Sequence, residues 1–215
     1  MDGKMKGMIM AGMAGLCLIL GIMGAIGGTW LVPIDDDAKA LEEMDADGGS
    51  GLTSVWSTMD LGDADTCDMM IEMIEDTDDG TEAECDGSIM EMSISYSDLC
   101  DAEGEDYEDD CAMATGGMIG TIGMWAGIIC ALMVTLTLVL PMAGVDAMDA
   151  VPEMGNKIAT WGAGALMLVG MLGWYMMLPE TDSQTGLGMS GWIAGAAMSM
   201  GLGSALIGQF IEADE

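Results

Sequence analysis

The sequence contains no histidine and no arginine, and its only lysines are Lys4, Lys6, Lys39 and Lys157. Nucleic-acid binding is excluded, because phosphate recognition depends on clustered lysine or arginine side chains. The lack of histidine removes Ser/His/Asp and Cys/His catalysis, imidazole metal ligands and the usual proton shuttle. The chain is therefore neither a nucleic-acid-binding protein nor an enzyme that depends on imidazole.

Acidic residues, in contrast, are abundant, since 37 of them against four lysines give a formal net charge of −33. Yet 51% of the 215 residues are hydrophobic and the mean hydropathy is +0.41. The two properties are compatible because they are segregated: residues 35–111 hold 28 of the 37 acids. This segregation excludes both uniform disorder and an ordinary single-domain soluble protein.

Four stretches of the chain carry no charged residue and are 28, 34, 22 and 29 residues long. They are 7–34, 112–145, 158–179 and 183–211. Because a helix needs about 20 apolar residues to cross a bilayer, each stretch predicts a membrane-spanning helix. The first stretch is also about twice as long as the apolar part of a signal peptide, so an uncleaved first helix is preferred to a cleaved signal.

The lysines orient the four spans. Lys4 and Lys6 precede the first span and Lys157 precedes the third, so all three lie on one side, which the positive-inside rule makes cytoplasmic. We therefore expect a multi-pass protein of the plasma membrane with both termini in the cytoplasm. The predicted outer parts are the acidic domain 35–111 and a short loop 180–182. The predicted inner parts are the loop 146–157 and the tail 212–215.

The spans are free of charge and rich in small residues. Intramembrane charge usually marks a transport path, so a pump or transporter through these helices is disfavoured. Glycines four residues apart lie on one helix face, where they favour close packing within a bundle over a dimerisation face. These pairs are Gly24 and Gly28, Gly116 and Gly120, Gly123 and Gly127, and Gly191 and Gly195.

The acidic domain contains segments that resemble ordered elements. Residues 52–61 and 88–96 are rich in β-branched and aromatic residues or alternate in polarity, which predicts two strands. Met69 and Met73 belong to a short amphipathic pattern, which predicts a helix that ends before Gly80. The flanking segments 35–50 and 101–110 are predicted to be loops.

Four of the six cysteines lie in this domain, and a small domain outside a membrane usually needs disulfides. The preferred pairing is Cys67–Cys85 with Cys100–Cys111, because each pair closes a short loop. The alternative pairing of Cys67–Cys100 with Cys85–Cys111 stays open. The cysteines lack Cys-x-x-Cys pairs, which disfavours a zinc site. Cys17 and Cys130 lie within spans and are expected to be free thiols.

The many acids also raise the question of a cation site. The segment nearest to an EF-hand loop is 75–86, with Gly80 at the turn, but its ligand positions do not match the motif. We therefore predict weak, diffuse attraction of cations rather than a specific metal site. No cofactor is predicted.

Several motifs occur in an order that resembles a known family, the claudin and peripheral myelin protein superfamily. The residues that carry the resemblance are Trp30, Gly51, Leu52, Trp56, Cys67, Cys85, Trp174, Tyr175, Gly191 and Trp192. The sequence departs from the family pattern in separating Gly51-Leu52 from Trp56, in having two extra cysteines and in lacking an arginine before the second span.

The resemblance implies a membrane all-α four-helix transmembrane bundle with a small extracellular β-sheet domain. It further implies that Trp30, Trp56 and a disulfide anchor the sheet on the bundle. A simpler interpretation of Trp30, Trp174 and Tyr175 is that they are interfacial aromatic anchors, which need no family.

These features favour two functions and disfavour a third. The first is a non-enzymatic, claudin-like membrane protein whose acidic extracellular domain mediates lateral or cell-surface contacts, including self-association. The alternative is an auxiliary subunit that regulates another membrane protein, such as a channel or transporter. The third, a membrane enzyme, requires a buried acid, a histidine or a metal cluster, and the spans contain none.

Overall fold

The computed structural model describes residues 3–75, 80–101, 108–142, 144, 153–179 and 185–211. Within these ranges the chain forms seven helices and six strands. The helices are α1 (Gly3–Ile26), α2 (Asp35–Glu43), α3 (Ala64–Glu75), α4 (Tyr96–Asp101), α5 (Glu108–Met142), α6 (Glu153–Met176) and α7 (Met189–Phe210). The strands are β1 (Leu31–Pro33), β2 (Ala46–Ser50), β3 (Ser54–Asp60), β4 (Glu82–Asp86), β5 (Ile89–Ser95) and β6 (Thr185–Leu187).

Four of the helices, α1, α5, α6 and α7, are long and apolar enough to cross a membrane. They correspond to the four uncharged runs, so the coarse prediction of four such helices with a small sheet is confirmed. Apolar side chains also cover their outer faces: Ile19, Ile122 and Val169 are each more than half exposed. A helix that is hydrophobic on every side is expected where lipid rather than water surrounds it.

The ends of two predicted spans are wrong. The run 7–34 is helical only as far as the end of α1, and its last residues form β1. The run 183–211 contains β6 before its helix begins at Met189. Leu31 pairs with Leu187 in an antiparallel ladder, so these uncharged residues belong to the sheet. Absence of charge alone does not distinguish a strand from a helix.

The other two spanning helices begin earlier than predicted. Helix α5 begins four residues before the predicted span 112–145, and α6 begins five residues before the predicted span 158–179. The extension of α5 includes Asp109 and Asp110 in its first turn, where the positive end of the helix dipole favours negative charge. The predicted loop 146–157 therefore ends at Glu153. Its residues 146–152, Val145, the loop 180–182 and the tail 212–215 lie outside the described residues.

Residues 35–50, predicted as a loop, instead form α2 and β2. Although α2 is mostly acidic, its apolar residues Ala38 and Leu41 line a hollow between that helix and the sheet. Strand β2 contains Gly48 and Gly49, which have low strand propensity, but its ladder with β3 overrides that preference.

The remaining elements of the acidic segment follow the prediction more closely. The predicted strands 52–61 and 88–96 correspond to β3 and β5, and the predicted amphipathic helix corresponds to α3. The segment 101–110 is not simply a loop, because Asp101 ends α4 and the last three residues begin α5. Residues 102–107 lie outside the described part of the chain.

The six strands form one sheet in the order β4-β5-β3-β2-β1-β6, with antiparallel neighbours throughout. Helix α3 packs on one face of β4 and β5, where Met90 is almost completely buried. On the opposite face Trp56 pairs with Ser93 and Glu84 pairs with Glu91. The sheet therefore has one covered face and one polar face, as is common for antiparallel sheets.

The chain divides into two compact units, which we describe separately. The helical unit comprises Met1–Ile26, Ile119–Gly173 and Trp192–Glu215. The sheet unit comprises Gly27–Met118 and Trp174–Gly191, and contains all six strands.

Glycines let the helices of the helical unit approach one another closely. A Cβ on Gly123 would lie 2.5 Å from the Cα of Gly170, and one on Gly201 would lie 2.8 Å from the Cα of Gly164. Gly24 faces the backbone of Ala194 in the same manner. Backbones that approach this closely pack well without a hydrophobic driving force, which lipid cannot supply.

The predicted glycine pairs do not all behave alike. Gly123 and Gly127 both face α6, as a packing role requires. Gly28 lies beyond the end of α1, so its predicted pairing with Gly24 on one helix face is wrong. Gly195 has open space around it, in contrast to its predicted partner Gly191. Spacing alone therefore does not establish that two glycines share a packing contact, even where both lie inside one helix.

Candidate functional site

Two disulfides tie the sheet unit together. Cys67 of α3 is bonded to Cys85 of β4, and Cys100 of α4 is bonded to Cys111 of α5. This is the pairing that the sequence favours. Each bond joins elements that are close in the sequence, 18 and 11 residues apart, and fixes a helix to its neighbour.

Trp30 occupies the centre of the sheet unit. Its side chain is fully buried and contacts Trp174 edge to face, with ring centroids 5.0 Å apart. Its backbone N–H donates to the carbonyl of Ser50, and its carbonyl accepts from the N–H of Gly188. Trp30 thus links β2 and the segment after β6 through its main chain while its ring fills the core.

The Trp174 ring is also buried, and its indole N–H has no acceptor within the described residues. A buried donor without an acceptor costs roughly 1–3 kcal/mol, so the ring is retained here for packing rather than for a hydrogen bond. The interpretation of Trp30 and Trp174 as mere interfacial anchors is therefore wrong, because both rings are in the core of the unit. Tyr175 is 68% exposed and fits that interpretation better.

Trp56 lies on the polar face of the sheet and is partly buried. Its indole N–H donates to the carbonyl of Gly28 at 2.7 Å. A Cβ on Gly49 would lie 3.2 Å from the Trp56 ring, so glycine at that position lets the ring lie flat on β2. The hydrogen bond fixes the indole N–H of Trp56, and the contact with Gly49 fixes the face of its ring.

The Gly51-Leu52 motif forms the turn between β2 and β3. The N–H of Gly51 donates to the carbonyl of Ser54, and the Leu52 side chain is buried. The Leu52 carbonyl contacts Gly117 of α5 so closely that a Cβ there would overlap it. This turn therefore sets the position of α5 within the sheet unit, and only glycine fits at the contact.

The last two residues that carry the family resemblance, Gly191 and Trp192, differ in burial. Gly191 is buried, and a Cβ there would lie 3.4 Å from the carbonyl of Trp30. Trp192 is 66% exposed. Within the sheet unit the structure thus brings Trp30, Gly51, Trp56, Trp174 and Gly191 into one network and leaves Tyr175 exposed, while Trp192 is an exposed residue of the helical unit.

The polar face of the sheet is acidic. Glu82, Glu84 and Glu91 line a hollow of about 380 Å³ together with Trp56. Glu84 stands directly opposite Glu91 on the neighbouring strand. Like charges in this arrangement destabilise a sheet, so cations in solution are attracted to this face. In the described parts of the chain, no three histidine, cysteine or acidic side chains converge as a metal site requires.

Two acids near α3 are held in their charged form. Thr66 donates to Asp63 from its hydroxyl and its backbone N–H, and these bonds lower the pKa of the Asp63 carboxyl. The N–H of Gly62 and then the Ser88 hydroxyl lower the pKa of Asp60. Asp63 immediately precedes α3 and caps its first turn.

The outward face of α3 combines apolar and acidic side chains. Met69 and Met73 lie one turn apart and are 64% and 61% exposed. Exposed acids surround them, namely Asp65, Asp68 and Glu72. An apolar centre with a polar rim is the usual composition of a protein-binding surface, and methionine adapts to partners of different shape. We call these five residues the α3 surface.

Sequence reasoning missed several residues that build the unit. Ser190 is buried, and its hydroxyl accepts from the backbone N–H of Thr29 and contacts the Thr29 hydroxyl. Asp63 was missed as a helix cap, although Asp-x-x-Thr before an amphipathic run is a recognisable start signal. Ser190 gives no such signal, because its partner is 161 residues away.

The expected free thiols Cys17 and Cys130 lie in α1 and α5 and form no disulfide. Comparison of the chain with known protein families, with curated proteins and with solved structures gave no match.

Proposed function

We propose that the chain is a non-enzymatic, claudin-like protein of the plasma membrane. Its acidic domain, which forms most of the sheet unit, lies outside the cell and mediates lateral or cell-surface protein contacts. The α3 surface carries this proposal, because two exposed methionines stand among acids on a helix that a disulfide fixes to the sheet. A rigid support lowers the entropic cost of binding at such a surface.

The orientation is part of the proposal. Two disulfides in the sheet unit suit an oxidising compartment, and Lys4, Lys6 and Lys157 favour a cytoplasmic position for the opposite ends of the helices. Thiol labelling of intact cells after reduction should reach the four cysteines of the disulfides. Labelling that requires lysis would reverse the orientation.

The claudin-like assignment rests on two supports. The sheet unit combines a buried Trp30, a Gly51-Leu52 turn and a disulfide, as the resemblance implies. The second support is that β6, from the segment between the third and fourth spanning helices, joins the same sheet.

The contact function is tested by purification of the full chain in mild detergent with mass spectrometry of co-purified proteins. The double variant Met69→Glu/Met73→Glu adds charge at the centre of the α3 surface, so it should release the bound protein or the second copy. Met44→Glu is the matched control, because Met44 is also exposed in the sheet unit, at 55%. Equal recovery of the partner with both variants would refute this role for the α3 surface.

An auxiliary subunit is the second candidate function. It is favoured by open space around Gly12 and Gly15 of α1 and Gly195 of α7, where a helix of another membrane protein can approach closely. Recovery of one channel or transporter at fixed stoichiometry, lost on Gly12→Leu and retained in Met69→Glu/Met73→Glu, would favour this function over the first.

A further inference from the structure

The hollow on the polar face of the sheet combines an aromatic ring with three carboxylates. The residues that carry this combination are Trp56, Glu82, Glu84 and Glu91, and we call them the Trp56 surface. Cys85 lies next to Glu84 in β4 and is bonded to Cys67 of α3. Successive side chains of a strand point to opposite faces, so α3 covers the other face of the sheet. The Trp56 surface is therefore separate from the α3 surface.

The strand register explains why this part of the sheet is hollow. Ser93 of β5 pairs with Glu82 on one side and with Trp56 on the other. The backbones of these two partners are about 10 Å apart, two strand spacings, and the small serine leaves the space between them open. Glu91 is a diagonal neighbour of Trp56 across the same strand pair, within reach of an aromatic side chain.

The ring of Trp56 is positioned without a ligand. Its indole N–H donates to the carbonyl of Gly28 at 2.7 Å, and the ring lies close to Gly49. Because the N–H already has an acceptor, the ring offers a ligand its π-electrons, which attract cations. A ring that is fixed in advance loses little entropy when a cation stacks on it.

The three glutamates are exposed and have no positive neighbour at the hollow. Glu84 and Glu91 stand directly opposite each other, with β-carbons about 5 Å apart, which destabilises a strand pair. Within the described part of the chain, no hydrogen bond or ion pair involves the three carboxylates, and no lysine lines the hollow. A cation bound here therefore relieves a repulsion that the free protein carries.

The cation that matches both the ring and the carboxylates is a guanidinium. It is planar, stacks on aromatic faces and directs its N–H donors at carboxylates in pairs. A lysine ammonium is compact and strongly hydrated, so it gains less from the ring. A quaternary ammonium has no N–H to donate and gains less from the glutamates.

We propose that the Trp56 surface docks an arginine side chain of a partner protein. The guanidinium stacks on Trp56 and donates to Glu84 and Glu91. The partner is a different protein, because this chain contains no arginine and a second copy brings the same acids to the contact. That the occupant belongs to a protein rests on the proposed contact function.

The test measures binding of a capped pentapeptide of glycine and two arginines to the full chain in mild detergent, by isothermal titration calorimetry. Counterpart peptides carry lysine or citrulline in place of arginine. We expect the arginine peptide to bind at least about tenfold more tightly than the citrulline peptide and about threefold more tightly than the lysine peptide. Equal binding of the arginine and lysine peptides would indicate only diffuse attraction to acids and would overturn the proposal.

A double variant removes the paired charges and keeps the size of the side chains. Glu84→Gln/Glu91→Gln should weaken binding of the arginine peptide about tenfold. It should leave the sheet unit folded, because it also removes a repulsion. Asp68→Asn/Glu72→Gln is the matched control, since it removes two exposed acids from α3. Equal weakening by the two double variants would place the peptide elsewhere and refute the assignment.

The ring is tested through the ratio of the affinities for the arginine and lysine peptides. Trp56→Leu should reduce this ratio to about one, because the aliphatic side chain has no π-electrons. An unchanged ratio would exclude Trp56 from the site and contradict the proposal. The comparison of the two double variants holds whether or not Trp56→Leu folds.

This inference and the proposed function can fail separately. A co-purified protein that is lost in Met69→Glu/Met73→Glu and retained in Glu84→Gln/Glu91→Gln would overturn the inference and keep the role of the α3 surface. The opposite pattern would support the Trp56 surface and refute the role of the α3 surface.

Discussion

The helical unit and the sheet unit are stabilised by different physics, although one chain builds both. The four uncharged runs contain neither an acid nor a lysine, whereas residues 35–111 hold 28 of the 37 acids. Glycine contacts join the helices, and disulfides with buried tryptophans join the sheet. Close backbone packing suits helices that are long and apolar enough to cross a membrane, whereas a small polar domain needs covalent and aromatic support.

The largest expected effect is on the core of the sheet unit. Trp30→Ala removes a fully buried ring and should cost about 3–5 kcal/mol of the free energy of unfolding of that unit. Urea unfolding followed by limited proteolysis, with the cleavage sites mapped, measures the loss. Trp192→Ala, at an exposed position, is the control. A comparable loss in both variants would show that ring burial does not set the stability of the unit.

Removal of the disulfide between α3 and β4 should have the next largest effect. Cys67→Ser/Cys85→Ser opens a loop with a sequence separation of 18 residues, which should cost roughly 3 kcal/mol through the entropy of the unfolded chain. The helical content should persist in circular dichroism while the sheet unit becomes sensitive to protease. Cys130→Ala, which touches a free thiol of α5, should leave both readouts unchanged.

The complementary prediction concerns the helical unit alone. Gly123→Ala places a methyl group against the backbone of Gly170 and should cost about 1–3 kcal/mol by forcing the helices apart. Gly195→Ala is the matched control, because open space surrounds that position. Thermal unfolding in mild detergent compares the two. Reducing agent breaks the disulfides of the sheet unit, so it should lower the melting temperature of Gly123→Ala and of the wild type by the same amount. A larger decrease in Gly123→Ala would show that the stabilities of the two units are coupled.

The smallest expected effect is that of acidic pH on the helix cap that Asp63 forms in the sheet unit. The folded pKa of Asp63 is lowered, so its bonds to Thr66 contribute stability above its unfolded pKa of about 3.9. That contribution is lost as the pH falls through the lower, folded pKa. Asp63→Ala should lower the melting temperature by a few degrees at neutral pH and flatten its decline on acidification. An equal acid-induced decline in wild type and Asp63→Ala would argue against this cap.

The sequence predicts the elements whose signal is local. Long uncharged runs identify the four apolar helices, and short loops between cysteines identify the disulfide pairing that the structure has. The alternation in 88–96 predicts β5. These features depend on neighbours along the chain, which composition and periodicity report directly.

Elements that depend on distant partners cannot be predicted from composition or local periodicity. Strand β6 lies in an uncharged run and exists only because β1 pairs with it. The contact between Trp30 and Trp174 joins residues 144 positions apart in the sequence, so no local pattern distinguishes these rings from interfacial anchors. Helix α2 was missed for another reason: its acids resemble a solvated loop, and its packing on β2 is visible only in the structure.

The pairing of β1 with β6 has a consequence for biosynthesis. The sheet cannot be completed until residues 185–187 leave the ribosome, long after Leu31–Pro33 has been made. During that interval one edge of β1 is open to other chains, as any unpaired strand edge is. The strand is only three residues long and ends in proline, which lacks a donor, so it is a poor template for aggregation. Completion of the sheet therefore waits for the synthesis of the third apolar helix, α6, which precedes β6 in the chain.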